Sequence, residues 1–405
     1  MTKKQSFTCL WVGQSLANCG DVFYIVGMMT IIYAATQSAF YMAAVPFLTM
    51  MMRFISGIFA PLILDKFGLK CSLTRSQTAK SLLLLLLAIA FSFHLFGPDF
   101  LLIFLLAAGI SFLDGWALPA RNAMVPLLIT KEKLVQTNSF LSLLDQSINL
   151  SGWALGGTLV TLFGGTKIVW GTFFLFLLST VFMLLIEADT VSSQKMRDRA
   201  GRLEVMKEGW RAIGQTPLLR LISWTDAIGT IASVVWMAAI VFVFVHHVLH
   251  VSDAWWGFIN FSYFVGLILG GLVSVRCATL IQHHLRQAAL IGLLAIGIAT
   301  LLFGWNKLPA IALVLSFAVG FFEQLQTIAF STLIQTCTKP QLLAKVYAAQ
   351  GALYAVAYGL ATLVFGYLTD KIGVISVFTL SGLLILATFV YALRTKKEWP
   401  MQADC

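Results

Sequence analysis

The chain has 405 residues, of which 59% are hydrophobic and 11% charged, with a formal net charge of +10. A soluble domain carries about twice that charged fraction, so a water-soluble globular fold is excluded. The apolar residues fall in long runs such as "SLLLLLLAIAFSFHLF", and a helix of about 20 such residues spans a bilayer.

Apolar runs set against charged breaks predict twelve helical spans: 7–35, 39–64, 72–96, 100–125, 135–163, 168–187, 217–248, 252–276, 286–304, 309–335, 342–367 and 373–394. The first run is too long for a signal-peptide core and lacks a small-residue cleavage site. The loops after spans 2, 4, 6, 8 and 10 and both termini hold nearly all the Lys and Arg, for example Lys66, Lys70, Arg75, Lys131 and Lys339. The opposite loops hold only Lys167, Lys307 and Lys371. Lys and Arg concentrate in cytoplasmic loops, so both termini are expected in the cytoplasm and the chain in a bacterial cytoplasmic membrane. The positive balance is then a topology signal, and no nucleic-acid partner is expected.

The longest polar stretch, Glu187 to Pro217, falls mid-chain. Its "RLEVMKEGWRAI" has apolar residues at helical spacing and reads as an amphipathic helix at the membrane surface. It divides the chain into a six-helix half over 1–187, a linker over 188–216 and a second half over 217–405. The six Cys include no CxxC pair, so no disulfide framework is expected. His247 and His250 share a predicted helix face, but no acid or Cys completes a ligand set; no metal and no cofactor is expected. Neither a P-loop nor a hydrolytic motif is present, so the chain does not read as an enzyme.

Acids stand inside the spans: Asp21, Asp114, Asp145, Asp226 and Glu323, in predicted spans 1, 4, 5, 7 and 10. Arg53 lies in span 2. Each such charge costs about 2.5–3.5 kcal/mol on insertion scales, and two readings explain it. Asp21 or Asp145 pairs with Arg53 and ties helices together. Alternatively, one or more acids bind and release protons, as a carboxyl in apolar surroundings can do near neutral pH. The excess of acids over the single Arg53 favours the second reading, with Asp21 first, then Asp114 and Glu323. Trp116, Trp224 and Trp236 either line an apolar cavity or pack in the core. Arg121, two turns beyond Asp114, either reaches lipid headgroups or meets an anionic ligand.

An offset of 209 lays one half on the other: Asp114 falls on Glu323, Gly157 on Gly366, Gly164 on Gly373 and Gly20 on Gly229. Two six-helix pseudo-repeats joined by a cytoplasmic linker is the architecture of the major facilitator fold, an all-α membrane protein of twelve transmembrane helices.

Four segments extend the resemblance. "GQSLANCGDVFYIVGM", with Gly13, Gln14, Gly20 and Asp21, followed by Thr36, Ser38 and Ala39, resembles the start of the drug–proton antiporter branch that includes macrolide-efflux-type and enterobactin-exporter-type carriers. "ALPARNAMVPLLITKEKLVQTNSF" is similar to the same branch through Pro119, Ala120, Ala123, Pro126, Leu127 and Asn138. "LDKFGLK" resembles the superfamily's loop between helices 2 and 3, in which Asp65, Lys66, Gly68 and Lys70 would act as a conformational latch; Leu69 replaces an Arg of that loop. "SGWALGGTL" resembles the antiporter helix-packing motif through Gly152, Gly156 and Gly157, with Trp153 in place of its Pro. The resemblance implies a monomeric secondary transporter in the lipid bilayer that exchanges protons for a small amphipathic or lipophilic substrate by alternating access. A lipid or lysophospholipid flippase on the same fold is the alternative, and a non-transporting scaffold the third reading.

Overall fold

A computed structural model describes residues 2–36, 39–93, 101–187, 202–236, 238–252, 254–395 and 399. Sixteen α-helices and short connections make up these residues. In hydrocarbon each backbone N–H and C=O needs a partner within its own segment, which the apolar runs meet by staying helical. The helices are α1 (Lys3–Thr36), α2 (Ala39–Phe67), α3 (Leu69–Ser92), α4 (Leu101–Asp114), α5 (Ala117–Leu128), α6 (Leu134–Phe163), α7 (Gly165–Leu184), α8 (Arg202–Gln215), α9 (Pro217–Ser233), α10 (Ala238–Phe244), α11 (Ala254–Arg276), α12 (Ala278–His283), α13 (Leu285–Trp305), α14 (Pro309–Cys337), α15 (Pro340–Ile372) and α16 (Val374–Arg394).

Among the described residues, eleven helical stretches are long and apolar enough to cross a membrane. The thirty-residue α6, richer in polar side chains, occupies the fifth predicted span. Two spans read as continuous are broken. Span 4 stops at Asp114 and resumes at Ala117, because Gly115 bonds back three residues to Phe112 instead of four. Span 7 passes from α9 through a 3-10 turn at Val234–Trp236 into α10 and a π turn at Val245–Leu249. His250 then leaves the helix with φ 52°, so His247 and His250 do not sit on one regular helix face. The amphipathic linker helix expected from the sequence is α8. Cys9, Cys19, Cys71 and Cys277 are free thiols.

The chain forms two compact units: Met1–Thr130 with Ser147–Trp210 and Lys339–Ala349, and Lys131–Gln146 with Arg211–Thr338 and Gln350–Cys405. The first unit buries Tyr24, Met28, Ile32, Leu84, Leu87 and Phe176 between α1, α3 and α7. In the second, α9, α13 and α16 close on an aromatic cluster in which Phe303 lies 4.6 Å from Trp236, 4.7 Å from Phe244 and 5.0 Å from Phe378. The repeat has a backbone counterpart. Gly164 and Gly373, paired by the offset, precede α7 and α16 with φ of 84° and 85°, a conformation that only Gly adopts without strain.

Candidate functional site

The first unit holds a four-charge cluster at mid-span. Asp21 comes from α1, Arg53 from α2, Lys80 from α3 and Asp114 from the end of α4. Lys80 Nζ lies 3.1 Å from Asp21 Oδ1 and 2.6 Å from Asp114 Oδ1. Arg53 Nη2 lies 3.4 Å from Asp21 Oδ2 and 3.0 Å from Asp114 Oδ2. Each carboxylate therefore meets both cations, and the formal charges cancel. This is the arrangement that lets ionised groups persist away from water. Arg53 thus serves Asp21 together with Asp114, rather than one acid alone.

The two cations differ in setting. The Lys80 side chain is 1% exposed, whereas 41% of the Arg53 side chain is open. Local sequence explains how they converge. A Cβ on Gly20 would stand 2.6 Å from the Phe176 ring, so glycine before Asp21 admits that ring, which lies 4.8 Å below the Lys80 ammonium in a cation–π contact. A Cβ on Gly115 would stand 2.5 Å from Ser56 and 2.7 Å from the Arg53 carbonyl oxygen; glycine there brings the α4 break against α2, and Asp114 against Arg53. Next to the cluster, the Tyr24 and Ser111 hydroxyls hydrogen-bond at 3.2 Å.

The second unit treats its acids differently. Tyr263 Oη donates to Glu323 Oε2 at 2.8 Å, and Tyr354 Oη donates to Asp226 Oδ2 at 3.1 Å. Gln326 also faces Asp226. Among the described residues neither acid has a Lys or Arg within ion-pair distance. The Tyr263 contact rests on close helix packing: a Cβ on Gly320 would overlap the Tyr263 carbonyl oxygen, and one on Gly266 the Phe317 carbonyl oxygen. The α11 and α14 backbones therefore touch, and the phenol reaches the carboxylate. Tyr263 also stacks on Trp236, with centroids 6.4 Å apart and planes 14° apart. Asp145 is partly exposed on α6.

The other expected residues sort as follows. Trp116 is buried and packs edge-on against Phe112, Trp224 is exposed, and Trp236 belongs to the aromatic cluster. Gly152 and Gly156 admit Val22 and Val26 of α1 close to α6; the surroundings of Gly157 lie outside the described residues. Arg121 is buried, at 7% exposure, and not extended toward headgroups. Of the loop residues, Gly68 turns the chain with φ 76°, Lys66 is exposed and lies over Phe67, and Lys70 is half-buried. Asp65 meets Lys345, at 3.1 Å, and the same ammonium holds Glu208 of α8 at 2.5 Å. Sequence reasoning missed Lys80, the two phenols and Glu208.

A model of the Major Facilitator Superfamily matches residues 15–351. The chain belongs to the Major Facilitator Superfamily. It is 28% identical over 388 residues to the MFS-type transporter YfmI of Bacillus subtilis (strain 168), covering 95% of this chain and 96% of that one. The Escherichia coli fucose:proton symporter superposes with a TM-score of 0.76 at 13% identity, covering 99% of this chain and all of that one. A human organic anion transporter superposes with a TM-score of 0.74 at 14% identity, covering 97% and 100%. Likenesses at such identities concern the fold alone. The protein is a multi-pass membrane transporter of this superfamily; its relatives and neighbours leave the substrate and the drug–proton branch unassigned.

Proposed function

We propose that this transporter is a proton-coupled exporter of small amphipathic or lipophilic compounds, working by alternating access as a monomer. The observation that carries the reading is the pair Asp226 and Glu323, mid-span carboxyls held by phenol donors with no cation in ion-pair reach among the described residues. A carboxyl so placed gains or loses a proton without breaking a salt bridge, and a cationic or polar group on the substrate competes for it. Asp21 and Asp114 form the second acidic site, with charges balanced by Lys80 and by the half-open Arg53. The loop residues Asp65, Lys66, Gly68 and Lys70 act as a latch through Lys345. The Lys and Arg bias supports a bacterial cytoplasmic membrane with both termini inside.

The test is proton movement in energised inside-out vesicles carrying the full chain. A pH-sensitive dye is followed while amphiphilic cations, macrolides and lysolipids are added singly. Collapse of the gradient by one class, lost in Glu323→Gln and Asp226→Asn, is the expected result. No response to any class overturns proton-coupled export; movement of labelled lipid in proteoliposomes without proton movement would instead establish a flippase.

A further inference from the structure

The linker helix α8 has two faces of unlike chemistry. One is turned into the protein. Glu208 pairs with the buried Lys345, a Cβ on Gly209 would overlap the Lys345 carbonyl oxygen, and Ala212 and Ile213 are buried. The other face carries Lys207, Trp210 and Arg211, all exposed, and Gly214 opens onto free space. Lys207 and Arg211 stand four apart, a like-charge spacing that destabilises a helix. Neither has an ion-pair partner among the described residues. Trp210 between them keeps 45% of its surface open. The face cannot turn inward, because Gly209 fixes the opposite side flush on α15. Gln215 ends α8, and Pro217 begins the next membrane span, so α8 ends at the membrane boundary.

Two exposed cations flanking an exposed indole at that boundary complement one chemistry. An anionic surface relieves the mutual repulsion of the cations, and an indole settles at headgroup level. We infer that the outer face of α8 binds the headgroups of anionic phospholipids in the leaflet on the Lys- and Arg-rich side. This goes beyond the transport reading and does not depend on the substrate.

Full-length protein is reconstituted in bilayers containing either brominated phosphatidylglycerol or brominated phosphatidylcholine, since bromine quenches nearby indoles. The Trp210 contribution is the difference between wild type and Trp210→Phe. The expected result is quenching of Trp210 at a mole fraction of brominated phosphatidylglycerol about thirtyfold lower than of brominated phosphatidylcholine, in line with two basic residues near a charged surface. The double variant Lys207→Gln/Arg211→Gln loses that preference, whereas Glu208→Gln, on the inner face, keeps it. Should the double variant fail to fold, salt gives the same test on wild type, because the preference must fall as the Debye length shortens. Equal quenching by the two lipids, or a preference indifferent to both salt and the double variant, overturns the inference.

Discussion

The two units solve one problem, a carboxylate at mid-span, by different chemistry. In the first, Asp21 and Asp114 share Lys80 and Arg53. In the second, Glu323 and Asp226 lean on the Tyr263 and Tyr354 hydroxyls. The contrast is sharpest at repeat-related positions. The offset that pairs Asp114 with Glu323 sets Ala289, which is fully buried, at the place of Lys80. With the ammonium replaced by a methyl group, the carboxyl of the second unit has to be satisfied by neutral donors. An ion cluster holds its charges by mutual attraction and is costly to take apart. A phenol–carboxyl pair tolerates either charge state. On the proposed function, the ion cluster serves as scaffold and the phenol-held pair exchanges protons.

The largest expected effect tests the ion cluster. Lys80→Met removes its fully buried cation and strands two carboxylates on Arg53, a loss of about 3–5 kcal/mol seen as a lowered thermal midpoint in detergent. Combining it with Asp114→Asn should recover a large part of the loss in a double-mutant cycle; additive losses would mean that the two side chains do not act as a pair. Next, Tyr263→Phe takes the donor from Glu323 at about 1–3 kcal/mol, and the pH profile of transport should move with it. An unchanged profile would remove Glu323 from proton exchange. Gly320→Ala forces a methyl group onto the Tyr263 carbonyl, about 1–3 kcal/mol of overpacking, and should reproduce part of the Tyr263→Phe profile by separating α11 from α14. The smallest effect belongs to Arg53→Gln, expected to cost less than Lys80→Met because 41% of that side chain is open whereas Lys80 is 1% exposed. A loss equal to that of Lys80→Met would erase the distinction drawn between the two cations.

The spans, the linker helix and the intramembrane acids were legible because apolar run length and isolated charges are one-dimensional signals. Lys80 was not. It follows "TRSQTA" and stands one residue before ten consecutive hydrophobic residues, Leu82 to Phe91, so it reads as the polar edge of a span. Yet α3 begins at Leu69 and ends at Ser92, and eleven residues at 1.5 Å each put Lys80 about 16 Å along it, near its middle. Counting from Gly68 instead of from the apolar run would have found it. The phenols left no trace, because a Tyr in a span is ordinary until its hydroxyl has a partner. The Lys345 contacts join residues far apart in sequence, Asp65 and Glu208 among them, and no local pattern announces such a meeting. Where α4 breaks was hidden too: Gly115 is one of 31 glycines, marked only by Ser56 against it.

That break has an electrostatic consequence. A helix ends in unpaired carbonyls equivalent to about half a negative charge, and α4 ends on Asp114, a full negative charge at the end where it is least welcome. Lys80 and Arg53 stand against this terminus and so answer the peptide dipole as well as the carboxylates. Neutralising Asp114 would leave the dipole still facing them, so the cluster answers a helix end as well as a balance of side-chain charges.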